Sequence, residues 1–159
     1  MDQIMKRSTL KEQDPDLGIL VVQLSTRVQR EIFRRSAEQG FDDVRPRHGA
    51  VLAYLDAEGT RPGELARLAG RNKQTMGAIL DELERLGYVR RTPDPADRRA
   101  KLIVPTDRGL SLMAASDGFV RQIEQDLADT LGPDRYRDFR DALARGVASL
   151  PGAGQDTEG

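Results

Sequence analysis

The spacing of apolar residues changes twice along this 159-residue chain, and these changes restrict the folds it can adopt. Between Leu17 and Leu86 apolar residues recur every three or four positions, which is typical of amphipathic helices. Two short β-prone runs follow, YVRRT at residues 88–92 and AKLIV at residues 100–104, separated by a turn rich in proline and aspartate. Helical spacing then returns up to Leu150. This order predicts a mainly α fold with a small β-hairpin wing, in the α+β class.

Glycine, proline and capping residues divide the helical parts into segments. The first helix is predicted to begin at Leu17 and end at Gly40, and the last follows a break at Gly132-Pro133. The helices predicted between them occupy residues 46–59, 61–70, 72–87 and 106–131. On the basis of composition, residues 1–16 are expected to form a flexible arm and residues 151–159 a disordered tail.

Apolar stripes run along the first and last helices, and so small a domain offers them no obvious partner. Their period of about 3.5 to 3.6 residues favours the packing of helix on helix. One interpretation is a self-contained bundle. We favour the other, in which dimerisation helices at residues 17–40 and 106–150 of two chains interlock in a homodimer.

Residues 64–80 have the composition of a helix-turn-helix. Ala66 lets two short helices cross closely, and Gly70 suits a turn at positive φ. Gly77 within a helix costs up to about 1 kcal/mol relative to alanine, which close approach to DNA or relief of crowding against another helix would offset. The residues expected to contact DNA, unless they only form a solvated turn, are Arg71, Asn72, Lys73, Gln74, Thr75, Gly77 and Ala78.

The distribution of charge along the chain also indicates that the protein binds DNA. Residues 61–101 contain ten basic and six acidic residues, a net charge of +4 in a chain whose total is −1, and such a patch binds polyanions. Arg98 and Arg99 lie at the hairpin tip, where an arginine suits the minor groove and Asp97 can orient a guanidinium. An ordinary exposed hairpin is the alternative. Phosphate contacts are expected from Arg61, Arg67, Arg90 and Arg91.

Together these parts make a winged helix. Three sequence runs also resemble a particular family of proteins. DPADRR at residues 94–99, followed by Thr106 and Gly109, resembles the wing and next helix start of the MarR family of bacterial transcriptional regulators. Residues 73–89 are similar to the recognition helix of that family, and RPRHG at residues 45–49 resembles one of its subgroups. The likeness covers residues 17–150, interpreted as one domain with a DNA-binding lobe at residues 46–105.

The resemblance implies a triangular homodimer, in which interlocked terminal helices hold two winged-helix lobes on a pseudo-palindromic duplex. It places base contacts on Asn72, Lys73, Gln74 and Thr75. It also implies a wing contact from Arg99, oriented by Asp97. Two positions depart from the family pattern, because Arg71 stands where an apolar residue or methionine is usual and Pro105 replaces a leucine. We expect Arg71 to reach a phosphate and Pro105 to end the second wing strand early.

Many regulators that this chain resembles respond to small aromatic or phenolic anions bound between the dimer helices and the DNA-binding lobe. Residues that would line such an effector pocket are Arg45, Arg47, His48 and Tyr54, which offer positive charge, a titratable ring and a phenol. The alternatives are a structural His48 and an Arg47 that contacts phosphate or solvent. The chain has no cysteine, so thiol oxidation is excluded as the signal.

Other classes of function have less support. With one histidine, no cysteine, no G-x-S-x-G turn and no glycine-rich phosphate loop, we expect no enzyme, no metal site and no cofactor. No apolar run resembles a signal peptide or membrane span, so a cytoplasmic protein without a membrane partner is expected. The favoured function is a dimeric, sequence-specific repressor of transcription that a small effector releases from double-stranded DNA. The alternative is a winged-helix module that docks an acidic protein and binds DNA only non-specifically.

Overall fold

The structure, a computed structural model, describes residues 6–151, which form seven α-helices and one antiparallel hairpin. The helices are α1 (Arg7–Gln13), α2 (Leu17–Glu38), α3 (Gly49–Tyr54), α4 (Pro62–Leu68), α5 (Lys73–Arg85), α6 (Asp107–Leu131) and α7 (Pro133–Ser149). A 3-10 turn (Pro46–His48) precedes α3, and the strands are β1 (Val89–Pro93) and β2 (Lys101–Pro105). The mainly α fold with a hairpin wing is therefore confirmed. Along residues 6–151, no helix combines the length and apolar character that a membrane crossing needs.

The N-terminal segment differs from the predicted flexible arm. Its first five residues lie outside the described residues, as does all of the predicted tail except Pro151. Residues 7–13 form α1, which buries none of its side chains. Lys11 in this helix pairs with Asp16 at 2.6 Å, and the Asp16 carboxylate also accepts the Ile19 N–H at 3.0 Å to cap α2. Asp16 thus caps α2 and also forms an ion pair with α1.

The second predicted helix is shorter than expected and begins as a 3-10 turn. It ends at Tyr54 rather than near Gly59 because the following segment pairs with the hairpin. Thr60 and Ile103 exchange two backbone hydrogen bonds of 2.9 Å. The Thr60 hydroxyl also accepts the Asp56 N–H at 3.0 Å, which fixes the loop that leaves α3.

The wing is a five-residue ladder in which Val89 lies opposite Pro105 and Pro93 opposite Lys101. The expectation that Pro105 would end β2 early is wrong. Proline has no N–H to donate, but the next residue supplies one, because the Thr106 N–H donates to the Tyr88 carbonyl at 3.0 Å. The Thr106 side chain then accepts the Gly109 N–H at 3.1 Å and starts α6 as predicted.

A single apolar core lies inside the predicted winged-helix lobe and the start of α6. Its fully buried large side chains are Val51, Leu65, Met76, Leu80, Leu83, Tyr88, Val89, Ile103 and Leu112. The long helices bury much less, and α7 has no buried residue. Leu17 remains 72% exposed, and Val147 and Leu150 are each 68% exposed. The core therefore draws on the winged-helix segment and on residues of α2 and α6, such as Phe33 and Leu112, whereas the rest of the long helices keeps uncovered apolar surface.

Candidate DNA-binding interface

The turn between α4 and α5 has the geometry of a helix-turn-helix. Gly70 has φ +59, the left-handed conformation that glycine adopts without strain. The Arg71 N–H donates to the Ala66 carbonyl at 2.8 Å, and the Gly70 N–H donates to the Arg67 carbonyl at 3.2 Å. These two bonds form a Schellman motif that ends α4 and turns the chain into α5. Ala66 is buried at the crossing, as its size predicts.

One face of α5 is buried in the core and the opposite face is open to solvent. Met76, Ile79 and Leu80 are buried. The exposed residues at its N-terminal end are Asn72, Lys73, Gln74, Thr75 and Ala78. The Asn72 side-chain oxygen accepts the Thr75 N–H at 2.8 Å and caps the helix. The cap uses one of the two acceptor sites of the Asn72 oxygen and leaves its amide NH₂ group exposed.

Gly77 lies on the open side of α5. No atom within 4 Å would meet a Cβ built at this position among the described residues. Crowding against another helix of the same chain, one of the two explanations considered for this glycine, is therefore wrong. Close approach to DNA, the other explanation, stays a prediction.

The tip of the wing is fixed by aspartates that bind its backbone. The Asp97 carboxylate accepts the Arg99 N–H at 3.0 Å, so it orients the main chain of Arg99 rather than the guanidinium. Asp94 is buried, and its carboxylate accepts the Ala96 N–H at 2.8 Å and binds Arg61 at 2.6 Å. The Ala96 N–H, followed by the Arg61 guanidinium, lowers the pKa of Asp94 below its ordinary value. Arg98 and Arg99 are exposed at the tip.

Internal carboxylates bind three of the four arginines expected to contact phosphates. Arg61 binds Asp94, which anchors the wing to the start of α4. Arg67 pairs with Glu64 at 2.5 Å, and Arg91 pairs with Glu84 and, at 2.6 Å, with Asp81. Among the described residues Arg90 is exposed and has no such partner. The sequence gives no direct signal for the Arg61–Asp94 pair, whose members lie 33 positions apart, whereas Glu64 and Arg67 have the i,i+3 spacing of a local helix pair.

A cleft of about 650 Å³ lies between α2, α3, the end of α4 and α6. Two of the four predicted effector residues, Arg47 and Tyr54, line it. Arg45 does not, because its guanidinium donates to the carbonyls of Asp42 and Val44 at 2.8 and 3.1 Å. Sequence analysis missed the apolar lining, which includes Ile32, Phe33, Leu52, Leu112 and Val120.

His48 is completely buried and does not line the cleft. It is therefore a structural residue and not an effector contact. Its Nδ1 accepts the Arg45 N–H at 3.0 Å, which leaves the proton of the neutral ring on Nε2. Nε2 lies 2.9 Å from a carboxylate oxygen of Glu82 on α5. Arg47 donates two bonds to the same carboxylate, at 2.7 and 2.5 Å. The hydrogen bonds from Arg47 and then His48 lower the pKa of Glu82 to about 2.

The known proteins that this chain is similar to are transcriptional regulators. A sequence model of the MarR family matches residues 42–100. The transcriptional repressor CouR bound to a 23-mer DNA duplex is 31% identical with a TM-score of 0.66, over 91% of this chain and 96% of that chain. CouR from Rhodococcus jostii RHA1 bound to p-coumaroyl-CoA is 27% identical with a TM-score of 0.68, over 87% and 95% of the two chains. The transcriptional regulator HosA of Escherichia coli O111:H- is 26% identical over 98 residues, which span 62% of this chain and 73% of HosA.

Proposed function

Because this chain belongs to the MarR family of DNA-binding transcriptional regulators, we propose that it represses transcription as a homodimer on a pseudo-palindromic operator. The proposal includes release from that operator by a small organic effector. The observation that carries it is the open N-terminal end of α5, where Lys73, Gln74 and Thr75 stand clear of the core. The family comprises regulators and not enzymes, which agrees with the absence of a catalytic motif in the sequence.

The homodimer is supported by apolar surface on the long helices. Large exposed apolar patches on a soluble domain mark interaction sites. Here α2 and α7 expose Leu17, Leu20, Val21, Phe139, Leu143 and Val147, and Leu150 is exposed just after α7. Between α2, α6 and α7 runs an apolar groove lined by Leu24, Val28, Ile123, Leu127, Phe139 and Leu143, with Tyr136 and Glu124 among its few polar residues. A second copy of the same helices supplies a matching apolar surface, as a two-fold interface requires.

A dimer of this kind places two copies of α5 in successive major grooves on one face of the duplex. Half-sites are then expected about 10 base pairs apart, centre to centre. Selection of random duplexes with the purified protein at near-physiological salt tests this directly. Enrichment of an inverted repeat with that spacing supports the proposal. Sequence-blind binding that disappears as salt rises would instead support a module that docks an acidic protein.

The wing contact is tested by Arg99→Ala. The exposed guanidinium of Arg99 stands on a backbone that Asp97 holds in place, so we expect its loss to weaken operator binding by about 1–3 kcal/mol. Arg135→Ala removes another exposed arginine, on α7 and outside the DNA-binding lobe, and serves as the matched control. Fluorescence anisotropy with a labelled operator measures both. Equal affinities for the two variants would rule out the wing contact.

Gly77→Ala separates the stability of α5 from its fit to DNA. Alanine has the higher helix propensity and its methyl group meets no atom of the described chain, so the free energy of unfolding should rise by up to about 1 kcal/mol. If DNA approaches this position closely, the methyl group will clash and weaken operator binding by about 1–3 kcal/mol. Urea unfolding and DNA titration measure the two effects. Unchanged operator affinity would remove Gly77 from the interface.

The effector is proposed to occupy the cleft of about 650 Å³ beside Tyr54 and Arg47. The CouR structure bound to p-coumaroyl-CoA suggests a phenolic acid or its CoA thioester as the first candidates. Thermal unfolding with p-coumarate, p-coumaroyl-CoA and free CoA distinguishes the phenol from the nucleotide part of such a ligand. A compound that stabilises the protein and also releases the operator supports the proposal, whereas no response to any aromatic acid or thioester contradicts this part of it.

A further inference from the structure

One carboxylate on α5 binds two side chains of the 3-10 turn that precedes α3. Glu82 accepts two bonds from the Arg47 guanidinium, at 2.7 and 2.5 Å, and lies 2.9 Å from Nε2 of His48. The two partners differ, because the Arg47 side chain is 55% exposed and that of His48 is completely buried. The turn therefore holds α5 through one charged contact at the surface and one imidazole contact inside.

The contact between His48 and Glu82 is incomplete. Nε2 carries the proton of the neutral ring, since Nδ1 accepts the Arg45 N–H at 3.0 Å. Nε2 is close to the carboxylate but poorly aligned with it. Among residues 6–151 it is the one buried side-chain nitrogen or oxygen that lacks a hydrogen bond of good geometry. A buried donor in this condition costs free energy, so a shift of the Glu82 carboxylate towards His48 would be favourable once Arg47 has left it.

Arg47 also lies beside the side chains proposed to read bases. A cleft of about 420 Å³ follows the exposed side of α5, and Arg47 and Arg71 both line it together with Gln74, Thr75 and Ala78. Arg71, in the turn before α5, is exposed and forms no ion pair in the part of the chain that the structure describes. Two guanidiniums on one groove next to base-reading side chains suit the phosphates of a duplex.

We propose that, when the protein binds its operator, Arg47 exchanges Glu82 for a DNA phosphate and His48 becomes the partner of Glu82, while Arg71 contacts another phosphate. The inference rests on the proposed function and assigns a phosphate site to a residue outside α4, α5 and the wing. An exposed ion pair contributes little net stability, so Arg47 can leave Glu82 at small cost. The half-buried carboxylate keeps a partner, because the Nε2–H of His48 then donates to it. No covalent bond changes and no proton is transferred.

The salt dependence of DNA binding tests the phosphate contacts. Each phosphate that the protein neutralises contributes about 0.9 to the slope of log Kd against log salt concentration. In Arg47→Met and in Arg71→Met we expect this slope to fall by about 0.9. Affinity should fall about tenfold, equally for the operator and for an unrelated duplex, because a phosphate contact carries no sequence information. Arg47→Lys keeps the charge and should keep the slope.

Arg45→Met is the matched control, since it removes the same charge two residues away. The Arg45 guanidinium is tied to the carbonyls of Asp42 and Val44 and does not line the cleft along α5. Its loss should leave the slope unchanged. The backbone N–H that His48 accepts is retained in this variant. A slope for Arg47→Met that equals the wild-type value overturns the phosphate contact.

The exchange itself can be followed at His48, because the chain has one histidine and ¹⁵N-histidine labelling gives one imidazole to observe by NMR. A better aligned hydrogen bond to a carboxylate moves the Nε2 proton signal downfield. We expect this shift when duplex DNA is added to the wild-type protein. Arg47→Met should produce it without DNA, and Glu82→Gln should abolish the response to DNA.

Thermal unfolding checks that each variant is folded. If one is not, the wild-type protein decides the matter, since its His48 signal must move when DNA is added. A signal that neither DNA nor Arg47→Met moves overturns the exchange. The salt series can be run on any duplex, and the Arg47→Met spectrum needs no DNA. Their failure is therefore distinguishable from failure to select an operator.

Discussion

Gly109→Ala is expected to lower the free energy of unfolding by about 3 kcal/mol, at the upper end of the cost of overpacking. A Cβ at residue 109 would lie 2.1 Å from the Tyr88 carbonyl oxygen and 3.1 Å from its carbon. That carbonyl cannot retreat freely, since it accepts the Thr106 N–H at 3.0 Å and closes the wing onto α6. The same substitution at an open helical site gains up to about 1 kcal/mol. Sterics therefore reverse the sign that helix propensity predicts.

The comparison with Gly77→Ala shows whether the steric contact causes the loss of stability. Both glycines lie in helices, but only a Cβ at Gly109 would meet a backbone atom. Urea unfolding of the two variants should move the midpoint in opposite directions, with similar dependence on denaturant. A stabilised Gly109→Ala variant would mean that α6 does not lie against the Tyr88 carbonyl. That outcome would contradict the junction between the wing and α6, because the Thr106 cap depends on the same contact.

The start and end points of most helices could be predicted because they depend on local chemistry. Asn72 and Thr106 each cap a helix by accepting the N–H three residues on, an interaction within one turn of chain. Gly132-Pro133 separates α6 from α7 for equally local reasons. The hairpin was predicted from β-prone residues on either side of a turn. Each strand begins and ends one residue later than its predicted run, since cross-strand partners and not propensity decide which residues pair.

Interactions between distant parts of the chain could not be predicted in this way. Arg61 and Arg91 were counted as charge for DNA, yet each is paired with carboxylates that the fold brings to it. Buried His48 was considered as an effector contact, but α5 places Glu82 beside it. Net charge over a segment is the same whether its arginines are paired or free. Only the fold separates arginines that have an internal partner from those, such as Arg71, that form no ion pair among the described residues.

Leu143→Glu is expected to weaken self-association by about 3 kcal/mol or more, roughly a hundredfold or more in the dimer Kd. Leu143 lies in the groove between α2, α6 and α7, beside Leu127 and Phe139. It is 37% exposed in the single chain, so a glutamate there meets water in the monomer but apolar surface in the proposed dimer. Two-fold symmetry places the charge in the interface twice. Sedimentation across a range of protein concentrations measures the effect.

Ala148→Glu is the matched control, since it adds the same charge to the opposite, exposed face of α7. Its dimer Kd should stay close to that of the wild-type protein. Operator affinity gives a second, coupled readout, because only a dimer places two copies of α5 on one duplex. Leu143→Glu should therefore lose operator binding at low protein concentration and regain it as the dimer is restored by mass action. If both variants remain dimeric to the same dilution, the groove is not the interface, and the dimer must form through another surface.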